Sequence, residues 1–327
     1  MPPTVEDLEA LRIPLGAYCY RLLGSSADTD DAVQEAIVRA HLQRERFDPA
    51  RGGLRAWVFR IATNICLDIL RGARRRALCV DLGPAAVPGA DLGSPLRPEN
   101  FVEPMPDARL VAARDPGEVA VERESVRLAV VAALQYLPPR QRATLVLRDV
   151  LGFSAAETAG VLGASTAAVT SALQRARETM DRHRRDPTDA LAPGDPAQRE
   201  LLERYVAAFE AHDPVRLVAL LREDARTSMP PFRWWIEGGS VIARLVAAGG
   251  CEGARLAPTA VNGQPGFGQY RPDDDGVLRP FAIVLVEPRD GRIAHLTTFL
   301  GTGGRFGEFG LPEVLPRATD ELAAAGT

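Results

Sequence analysis

A glycine at position 163 joins two short helical patterns, and it constrains the fold of this chain more than any other sequence feature. Before it, Ser154 and Glu157 have the spacing of a capping box, which predicts the start of one helix. After it, Ser165 can cap the next helix by accepting a hydrogen bond from a free backbone N–H. Gly163 permits the tight chain reversal between the two helices. Residues 138–180 therefore predict a helix-turn-helix.

The second of these helices carries side chains of the kind that such a motif places on DNA. Short polar groups at its start suit base edges, and guanidinium groups further along suit phosphates. The residues of this kind are Ser165, Thr166, Thr170, Ser171, Arg175 and Arg177. A plain helical hairpin in a bundle is the alternative, because Ala, Leu and Arg are good helix formers in any setting.

Residues 51–76 form a strongly basic stretch in a chain whose net charge is -4. Apolar residues recur there every three or four positions, which predicts a helix with one buried face. The opposite face and the end of the helix collect arginines, so phosphate binding is the favoured interpretation. Trp57 and Phe59 are candidates to stack on an unpaired base. An Arg-rich surface over core aromatics is the alternative.

The length of 327 residues predicts two or three domains, and 46% hydrophobic with 25% charged residues is a globular composition. Cysteines are far apart and form no CxxC pair, so we expect free thiols in a reducing compartment rather than disulfides or a zinc site. We find no secretion signal and no apolar run of about 18 residues. These features predict a soluble cytoplasmic protein without metal or cofactor.

Proline-rich segments divide the chain into units. Within the C-terminal part, helical patterns come first, and an alternation of apolar and polar residues typical of strands follows. Asp290 and Gly291 predict the turn of a hairpin over residues 280–300. This order predicts an α+β domain behind two all-α domains. The predicted units are helical domain 6–76, linker 77–117, helical domain 118–183, linker 184–196, α+β domain 197–316 and tail 317–327.

Three separated segments together resemble one protein family. They are DAVQEAIVRAH at 31–41, LRAWVFRIATNICLDILRGARRR at 54–76 and LPPRQRATLVLRDVLGFSAAETAGVLGASTAAVTSALQRAR at 137–177. In this order they resemble regions 2 and 4 of the extracytoplasmic-function (ECF) sigma factors of the sigma-70 family. Residues 205–238 look like the opening of a SnoaL-like domain. A sigma factor fused to such a domain is similar to the actinobacterial sigma-G and sigma-J types.

The resemblance implies a multidomain protein: a region 2 helical bundle, a region 4 helix-turn-helix and an α+β, cone-shaped SnoaL-like domain. It implies that the helix-turn-helix residues named above read the minus-thirty-five element of a promoter. It implies a surface that binds the core enzyme of RNA polymerase through the clamp helices of the beta-prime subunit, formed by Asp31, Gln34, Glu35 and Arg39. It places the minus-ten element on Arg55, Trp57, Arg60, Asn64, Arg71, Arg74, Arg75 and Arg76.

The SnoaL-like pattern further implies a cavity that could take a small-molecule ligand. Aromatic side chains with one imidazole suit such a pocket, although core packing is the alternative for each of them. The candidates are Met229, Phe232, Trp234, Trp235, Tyr270, His295 and Phe299. His212, Asp213 and Asp224 are of types used in acid/base catalysis, but they fall in turns and at helix ends, so no catalytic residue is assigned.

The expected function is promoter-specific initiation of transcription, with no bond chemistry and no membrane. Since a short tether joins the C-terminal domain to the DNA-binding part, its effective concentration there is high, and we expect it to regulate in cis. Two alternatives stay open. One is a helix-turn-helix regulator with a ligand-sensing domain, and the other is a SnoaL-like cyclase or isomerase fused to a DNA-binding region.

Overall fold

The structure, a computed structural model, describes residues 2–72, 75–111, 123–183, 195–248 and 251–315. The chain divides into two compact units. A helical unit contains Met1–Ala77 and Pro98–Arg185, and a second unit contains Leu78–Arg97 and Asp186–Thr327. Among the described residues, no helix has the length and apolarity that crossing a bilayer requires.

Four helices form the first half of the helical unit in its described residues, and the chain breaks between the second and the third after Leu23. Gly24 ends one helix in the left-handed conformation at φ 65°. Ser25 then caps the next helix by accepting a hydrogen bond from the backbone N–H of Asp28. The helices are α1 (Val5–Glu9), α2 (Arg12–Leu23), α3 (Ser26–Leu42) and α4 (Leu54–Leu70).

The second half of the helical unit contains the predicted helix-turn-helix, which is confirmed. The Ser154 hydroxyl accepts from the Glu157 N–H at 3.1 Å, and the Glu157 carboxylate accepts from the Ser154 N–H at 2.8 Å. These bonds hold the pKa of Glu157 below its usual value. Gly163 has φ 59°, as the turn requires. The helices are α5 (Leu128–Leu134), α6 (Pro139–Leu145), α7 (Ala155–Leu162) and α8 (Thr166–Arg182), with a π-helical turn at Val146–Val150.

One hydrophobic core runs through both halves of the helical unit. Phe59 of α4 packs on Phe153, which precedes α7, with ring centroids 5.4 Å apart. Arg142 of α6 is buried and donates a hydrogen bond to the carbonyl of Leu22 in α2. Its burial lowers its pKa to about 10. The two halves are therefore held together by apolar packing and by a buried polar contact.

The second unit is the α+β domain that the sequence predicts. Six strands in its described residues form one sheet in the order β2-β1-β6-β5-β4-β3, and β1 runs parallel to β6 while the other neighbours are antiparallel. The predicted hairpin is β5–β6, with Asp290 and Gly291 at positive φ in its turn. The elements are α9 (Pro196–Glu210), α10 (Pro214–Leu220), β1 (Leu221–Ser228), β2 (Trp235–Glu237), α11 (Gly239–Ala247), β3 (Arg255–Val261), β4 (Gln264–Pro272), β5 (Leu278–Arg289) and β6 (Arg292–Leu300).

The two faces of this sheet are covered by different elements. Phe267 and Val284 belong to the core cluster that α9, α10 and α11 complete. On the opposite face, the 3-10 helix Gly303–Phe309 and Leu311 approach β4 closely. A Cβ at Gly268 would lie 2.5 Å from the Leu311 side chain, so any larger residue there would require Leu311 to shift.

The predicted linker 77–117 is shared between the two units. An isolated bridge pairs Ala77 with Phe101, so the chain leaves the helical unit after Ala77 and rejoins it near that point. We call Leu78–Arg97 the tether and residues 98–111 the strap. The tether belongs to the second unit and the strap to the helical unit, and residues 112–122 lie outside the described ranges.

Candidate nucleic-acid interface

Helix α8 presents its predicted contact residues on an exposed face. Thr166, Thr170 and Ser171 are exposed there. Ser165 is exposed as well, but its hydroxyl caps α8 by accepting from the Ala168 N–H at 3.2 Å. The Thr170 hydroxyl donates within the helix to the Thr166 carbonyl at 3.0 Å. Both hydroxyls keep acceptor capacity toward DNA.

Two arginines near the end of the predicted contact surface differ in availability. Arg175 is exposed, and within the described ranges no ion pair engages it. Arg177 instead forms a two-pronged ion pair with Asp149, with N–O distances of 2.7 and 2.8 Å. This pair raises the pKa of Arg177. The guanidinium thereby joins α8 to the π-helical turn, and the DNA contact of Arg177, which stays a prediction, would require it to leave Asp149.

Helix α4 carries a continuous exposed stripe of predicted nucleic-acid residues. Arg60, Asn64 and Arg71 are exposed at helical spacing. Trp57 lies at the start of the same stripe, half-buried, with its ring centroid 5.4 Å from that of Phe47. The contact with Phe47 holds the half-buried indole in place, and stacking on an unpaired base would need one of its ring faces.

The remaining arginines of the predicted minus-ten set have protein partners or fall outside the described residues. Arg76 is 5% exposed and donates to the Leu23 carbonyl and to Asp28, each at 2.8 Å. Its predicted DNA contact is therefore corrected: it holds the end of α2 and the start of α3 together. The others are Arg75, stacked 3.9 Å from the Tyr136 ring centroid, Arg55, 4.7 Å from that of Phe153, and Arg74, outside the described ranges.

The residues predicted to bind polymerase share the exposed face of α3. Asp31, Gln34, Glu35 and Arg39 are all exposed, and Glu35 pairs with Arg39. Two apolar side chains that the sequence reading missed lie on this face: Val38 is 45% exposed and Leu42 is 76% exposed. Their positions, four and eight residues after Gln34, place them on the same helix face, and this spacing could have identified them from the sequence. An apolar patch ringed by charges is typical of a protein-binding surface.

The strap is fixed to the helical unit by buried side chains. Val102, Met105 and Leu110 are each 1% exposed. Full burial of such a side chain stabilises a fold by about 1.5–3 kcal/mol relative to exposure. Release of the strap would expose all three, so we treat it as a permanent part of this unit.

A carboxylate ties the same strap to the start of α3. Glu103 accepts hydrogen bonds from the Ser26 N–H at 2.8 Å and from the Ser25 hydroxyl at 2.9 Å. The Tyr20 hydroxyl donates to the Glu103 carbonyl at 2.6 Å. A negative charge at a helix N-terminus is favourable because it faces free N–H groups. The strap therefore also caps the helix that carries the predicted polymerase surface.

The tether is held by the loop that joins β1 to β2 and by Trp235 at the start of β2. Its contacts are mainly hydrogen bonds to main-chain carbonyls, and two of the donors are tryptophan indoles. Its side chains Ala86 and Leu92 also pack on the core of the second unit. The bonds are Trp235 Nε1 to Gly83 O (2.9 Å), Trp234 Nε1 to Ala90 O (3.3 Å), Cys79 Sγ to Phe232 O (3.1 Å), Ala86 N to Trp235 O (2.7 Å) and Leu96 N to Pro231 O (2.7 Å).

The seven residues predicted to line one ligand pocket do not face a common space. Met229, Phe232 and Trp234 pack with the core on the helix-covered side of the sheet. Tyr270 packs edge-on against Phe306 of the 3-10 helix, on the other side. The pocket prediction is corrected, because side chains of alternate strand residues point to opposite faces.

Three more residues of that predicted pocket lie, like Tyr270, on the sheet face that the 3-10 helix covers. Phe299 is the register partner of Ile283, which is itself the partner of Gly268. His295 lies four residues before Phe299 on β6, and its Nε2 is 3.2 Å from the Ser228 hydroxyl. Trp235 is the register partner of Ser228 and binds the tether through its indole.

The three residues considered for acid/base chemistry lie in a helix cap, an ion pair and a turn. Asp213 caps α10 by accepting from the N–H groups of Val215 and Arg216. Asp224 pairs with Arg222, whose hydrogen bond lowers the pKa of that carboxylate. His212 occupies the turn before α10 at φ 51°. No cluster of three or more His, Cys, Asp or Glu suited to a metal ion occurs in the described ranges.

Comparison with known proteins matches both helical segments to established families. The Sigma-70 region 2 family matches residues 8–76, and the Sigma-70, region 4 family matches residues 127–180. The chain is 44% identical over 313 residues to the ECF RNA polymerase sigma factor SigG of Mycobacterium tuberculosis, covering 94% of this chain and 83% of that protein.

A second relative is similar in sequence and in structure. The ECF RNA polymerase sigma factor SigJ of Mycobacterium tuberculosis is 33% identical over 220 residues, which are 67% of this chain and 62% of that protein. The crystal structure of SigJ matches with a TM-score of 0.59 at 26% identity, covering 94% of this chain and 100% of that chain. Its match extends through both units.

Proposed function

Because the chain belongs to the ECF sigma factors of bacterial RNA polymerase, we propose that it directs promoter-specific initiation and that its C-terminal domain regulates this activity in cis. The exposed face of α3 binds the clamp helices of the beta-prime subunit of the core enzyme. The stripe on α4 binds the minus-ten element, and α8 reads the minus-thirty-five element. These processes take place in the cytoplasm, where the polymerase acts.

Simultaneous binding of both promoter elements requires the two halves of the helical unit to separate. The positions minus thirty-five and minus ten are about 25 base pairs apart, which is about 85 Å at roughly 3.4 Å per base pair. A compact unit of this size has a radius of gyration of about 15 Å. The shared core around Phe59 and Phe153 is therefore the resting arrangement, and promoter binding needs it to open.

The tether is the observation that carries the proposal of regulation in cis. It is the chain segment between the half that contains α4 and the half that contains α8, and the second unit holds it through five hydrogen bonds. A segment so held cannot extend to let the halves move apart. Release of the tether is then the step that the C-terminal domain controls.

Catalysis by the C-terminal domain has no part in this proposal. Asp213 and Asp224 serve as a helix cap and an ion-pair partner, and the indoles of Trp234 and Trp235 bind the tether. We therefore assign the domain a binding role toward its own chain.

Co-purification with core polymerase tests the proposed identity of the partner, and transcription assays test the regulation. We expect the full chain to bind core enzyme and to initiate from one promoter class. Truncation after Asp186 should raise that transcription at least about fivefold at limiting core enzyme, since the tether is then free. Unchanged promoter-specific transcription after truncation would contradict regulation in cis.

A pair of arginine variants tests the role of α8. Arg175→Ala should weaken promoter binding for matched and mismatched sequences alike and reduce the salt dependence by about one phosphate contact. Arg177→Ala is the matched control on the same helix, because its guanidinium is already paired with Asp149. Equal losses for both variants in band-shift titrations would argue against this assignment of the helix face.

A further inference from the structure

A tyrosine in the second half of the helical unit stacks on an arginine that we assign to the minus-ten element. Tyr136 follows α5, and the Arg75 guanidinium lies 3.9 Å from its ring centroid. The imidazole of His183, at the end of α8, stacks on the same ring with a centroid distance of 3.9 Å and an interplanar angle of 29°. Two groups this close need separate faces of the ring, so Tyr136 lies between a guanidinium and an imidazole.

The two outer members of this stack are held in different ways. His183 is fixed to α8, because its Nδ1 lies 2.8 Å from the Thr179 carbonyl oxygen. Arg75 is exposed, and among the described residues its guanidinium has neither an ion pair nor a hydrogen bond. The ring of Tyr136 is therefore what holds it. A cation–π contact at an exposed site is weak, so Arg75 can exchange this partner for another.

A second arginine of the minus-ten set is held at the other end of α4. Arg55 donates a hydrogen bond to the Leu151 carbonyl at 3.3 Å, and its guanidinium lies 4.7 Å from the ring centroid of Phe153. Leu151 and Phe153 belong to the second half of the unit, like Tyr136. The arginines on either side of the α4 stripe are thus both engaged by the half that carries α8.

The same arrangement leaves the other predicted DNA contacts open. Arg60 and Asn64 lie between the two engaged arginines and are exposed, and Thr170 and Ser171 of α8 are exposed as well. The second half therefore occupies the ends of the minus-ten surface without covering its middle or the face of α8. An unpaired base is bound by stacking on aromatic rings and on the guanidinium planes of arginines. The ring of Tyr136 has the shape and the stacking geometry of such a base.

We propose that Tyr136 takes the place of an unpaired base in the resting chain: it occupies the Arg75 guanidinium until single-stranded DNA of the minus-ten element displaces it. This rests on the proposed function, since it requires α4 to bind that element. The contact is autoinhibitory, because Arg75 must leave the ring before it stacks on a base or meets a phosphate. Arg55 is released when the second half moves away from α4. The resting chain accordingly reads duplex DNA with α8 while its affinity for single strands is low.

Binding of a random-sequence single-stranded oligonucleotide to the full-length chain, followed by fluorescence anisotropy, tests this. Tyr136→Leu keeps an apolar side chain but removes the ring. We expect the affinity to rise about two- to fivefold, as loss of a competing cation–π contact at an exposed site predicts. The matched control is Phe281→Leu, because Phe281 is also half-buried and lies 3.5 Å from the guanidinium of Arg271, but in the second unit. It should bind as the unmodified chain does. No gain for Tyr136→Leu would overturn the proposal.

A double-mutant cycle assigns the gain to Arg75. Arg75→Ala should lower the affinity more in the Tyr136→Leu chain than in the otherwise unmodified chain, because the ring no longer competes for the guanidinium. Equal losses in both backgrounds would show that Arg75 already meets DNA in the resting chain, which also overturns the proposal. Equal melting temperatures show that the fold is retained, and Tyr136→Met repeats the cycle if Tyr136→Leu melts earlier.

Arg60→Ala separates this outcome from a failure of the proposed function. Arg60 is exposed in the middle of the stripe, so its loss should weaken binding of the single strand in both backgrounds. If Arg60→Ala weakens binding and Tyr136→Leu brings no gain, α4 binds single strands and the role of Tyr136 is wrong. If Arg60→Ala has no effect in either background, the assignment of α4 to the minus-ten element is wrong, and the proposal for Tyr136 is lost with it.

Discussion

The tether and the strap are neighbours in one proline-rich stretch, yet they are attached in different ways. The strap buries Val102, Met105 and Leu110 almost completely. In the tether beyond Cys79, every side chain is half-buried or exposed, and Val87 is 71% exposed. The tether is attached mainly through hydrogen bonds to the loop between β1 and β2 and to Trp235 at the start of β2.

This difference separates a part that can be released from one that cannot. A hydrogen bond contributes about 0.5–1.5 kcal/mol net, because water replaces it when it breaks. Burial of a large apolar side chain has no such replacement, and its loss costs about 1.5–3 kcal/mol. The tether can therefore exchange partners one bond at a time, while the strap stays with the helical unit.

The largest expected effect concerns Cys79, the buried end of the tether. Burial raises its pKa to about 12, from an ordinary value of 9.0. Since the thiolate is the reactive form, alkylation at pH 8 should be about a thousandfold slower than for a free thiol. The raised pKa contributes stability below about pH 9, and this contribution is lost as the pH rises from about 9 to 12.

Core polymerase should abolish this protection if it releases the tether. Peptide mass spectrometry after brief alkylation would show Cys79 modified in the holoenzyme. Cys19 is the internal control, because it lies in the core of the helical unit and should stay protected in both states. Protection of Cys79 that persists in the holoenzyme would contradict release of the tether.

The second prediction compares one apolar side chain from each segment. Met105→Ala removes a fully buried side chain from the strap and should lower the free energy of unfolding of the helical unit by about 2–5 kcal/mol. Leu92→Ala in the tether removes a half-buried one and should cost less than half as much. Urea unfolding followed by circular dichroism measures both. Equal losses of unfolding free energy would contradict the conclusion that the strap is held more firmly than the tether.

How far the sequence predicts these results depends on the range of the interactions. Ser154, Glu157 and Gly163 act on backbone within a few residues, so the helix-turn-helix is predictable from spacing. The same is true of the Asp290 and Gly291 turn. The attachment of the tether is different, because Trp235 and Gly83 are far apart in the chain and nothing local pairs them.

The errors at individual site residues have the same origin. Arg76 has the composition and position of a DNA-binding residue, but the fold buries it against Asp28 and the Leu23 carbonyl. Tyr270 packs against Phe306, which lies far from it in the chain, so its neighbours are not visible in the local pattern. Exposure of a basic or aromatic side chain is thus decided by tertiary partners.

The third prediction removes the polar anchor of the strap. Glu103→Ala deletes the acceptor for the Ser26 N–H and the Ser25 hydroxyl. Hydrogen bonds to a charged group contribute about 1.5–3 kcal/mol, so the free energy of unfolding should fall by about that amount. Glu99→Ala, half-buried in the same strap, is the comparison variant. A loss at Glu103 no larger than at Glu99 would mean that the apolar side chains alone hold the strap.

The smallest expected effect isolates one hydrogen bond of the tether. Trp235→Phe keeps an aromatic ring at the start of β2 but removes the indole N–H that donates to the Gly83 carbonyl at 2.9 Å. Loss of about 0.5–1.5 kcal/mol should shift the equilibrium between held and released tether roughly two- to tenfold toward release. Alkylation of Cys79 should accelerate by the same factor, and promoter-specific transcription at limiting core enzyme should rise with it.

Because Cys79 donates to the Phe232 carbonyl and not to Trp235, its thiol reports on the tether without being part of the altered bond. Faster alkylation with unchanged transcription would show that tether release occurs but does not limit initiation.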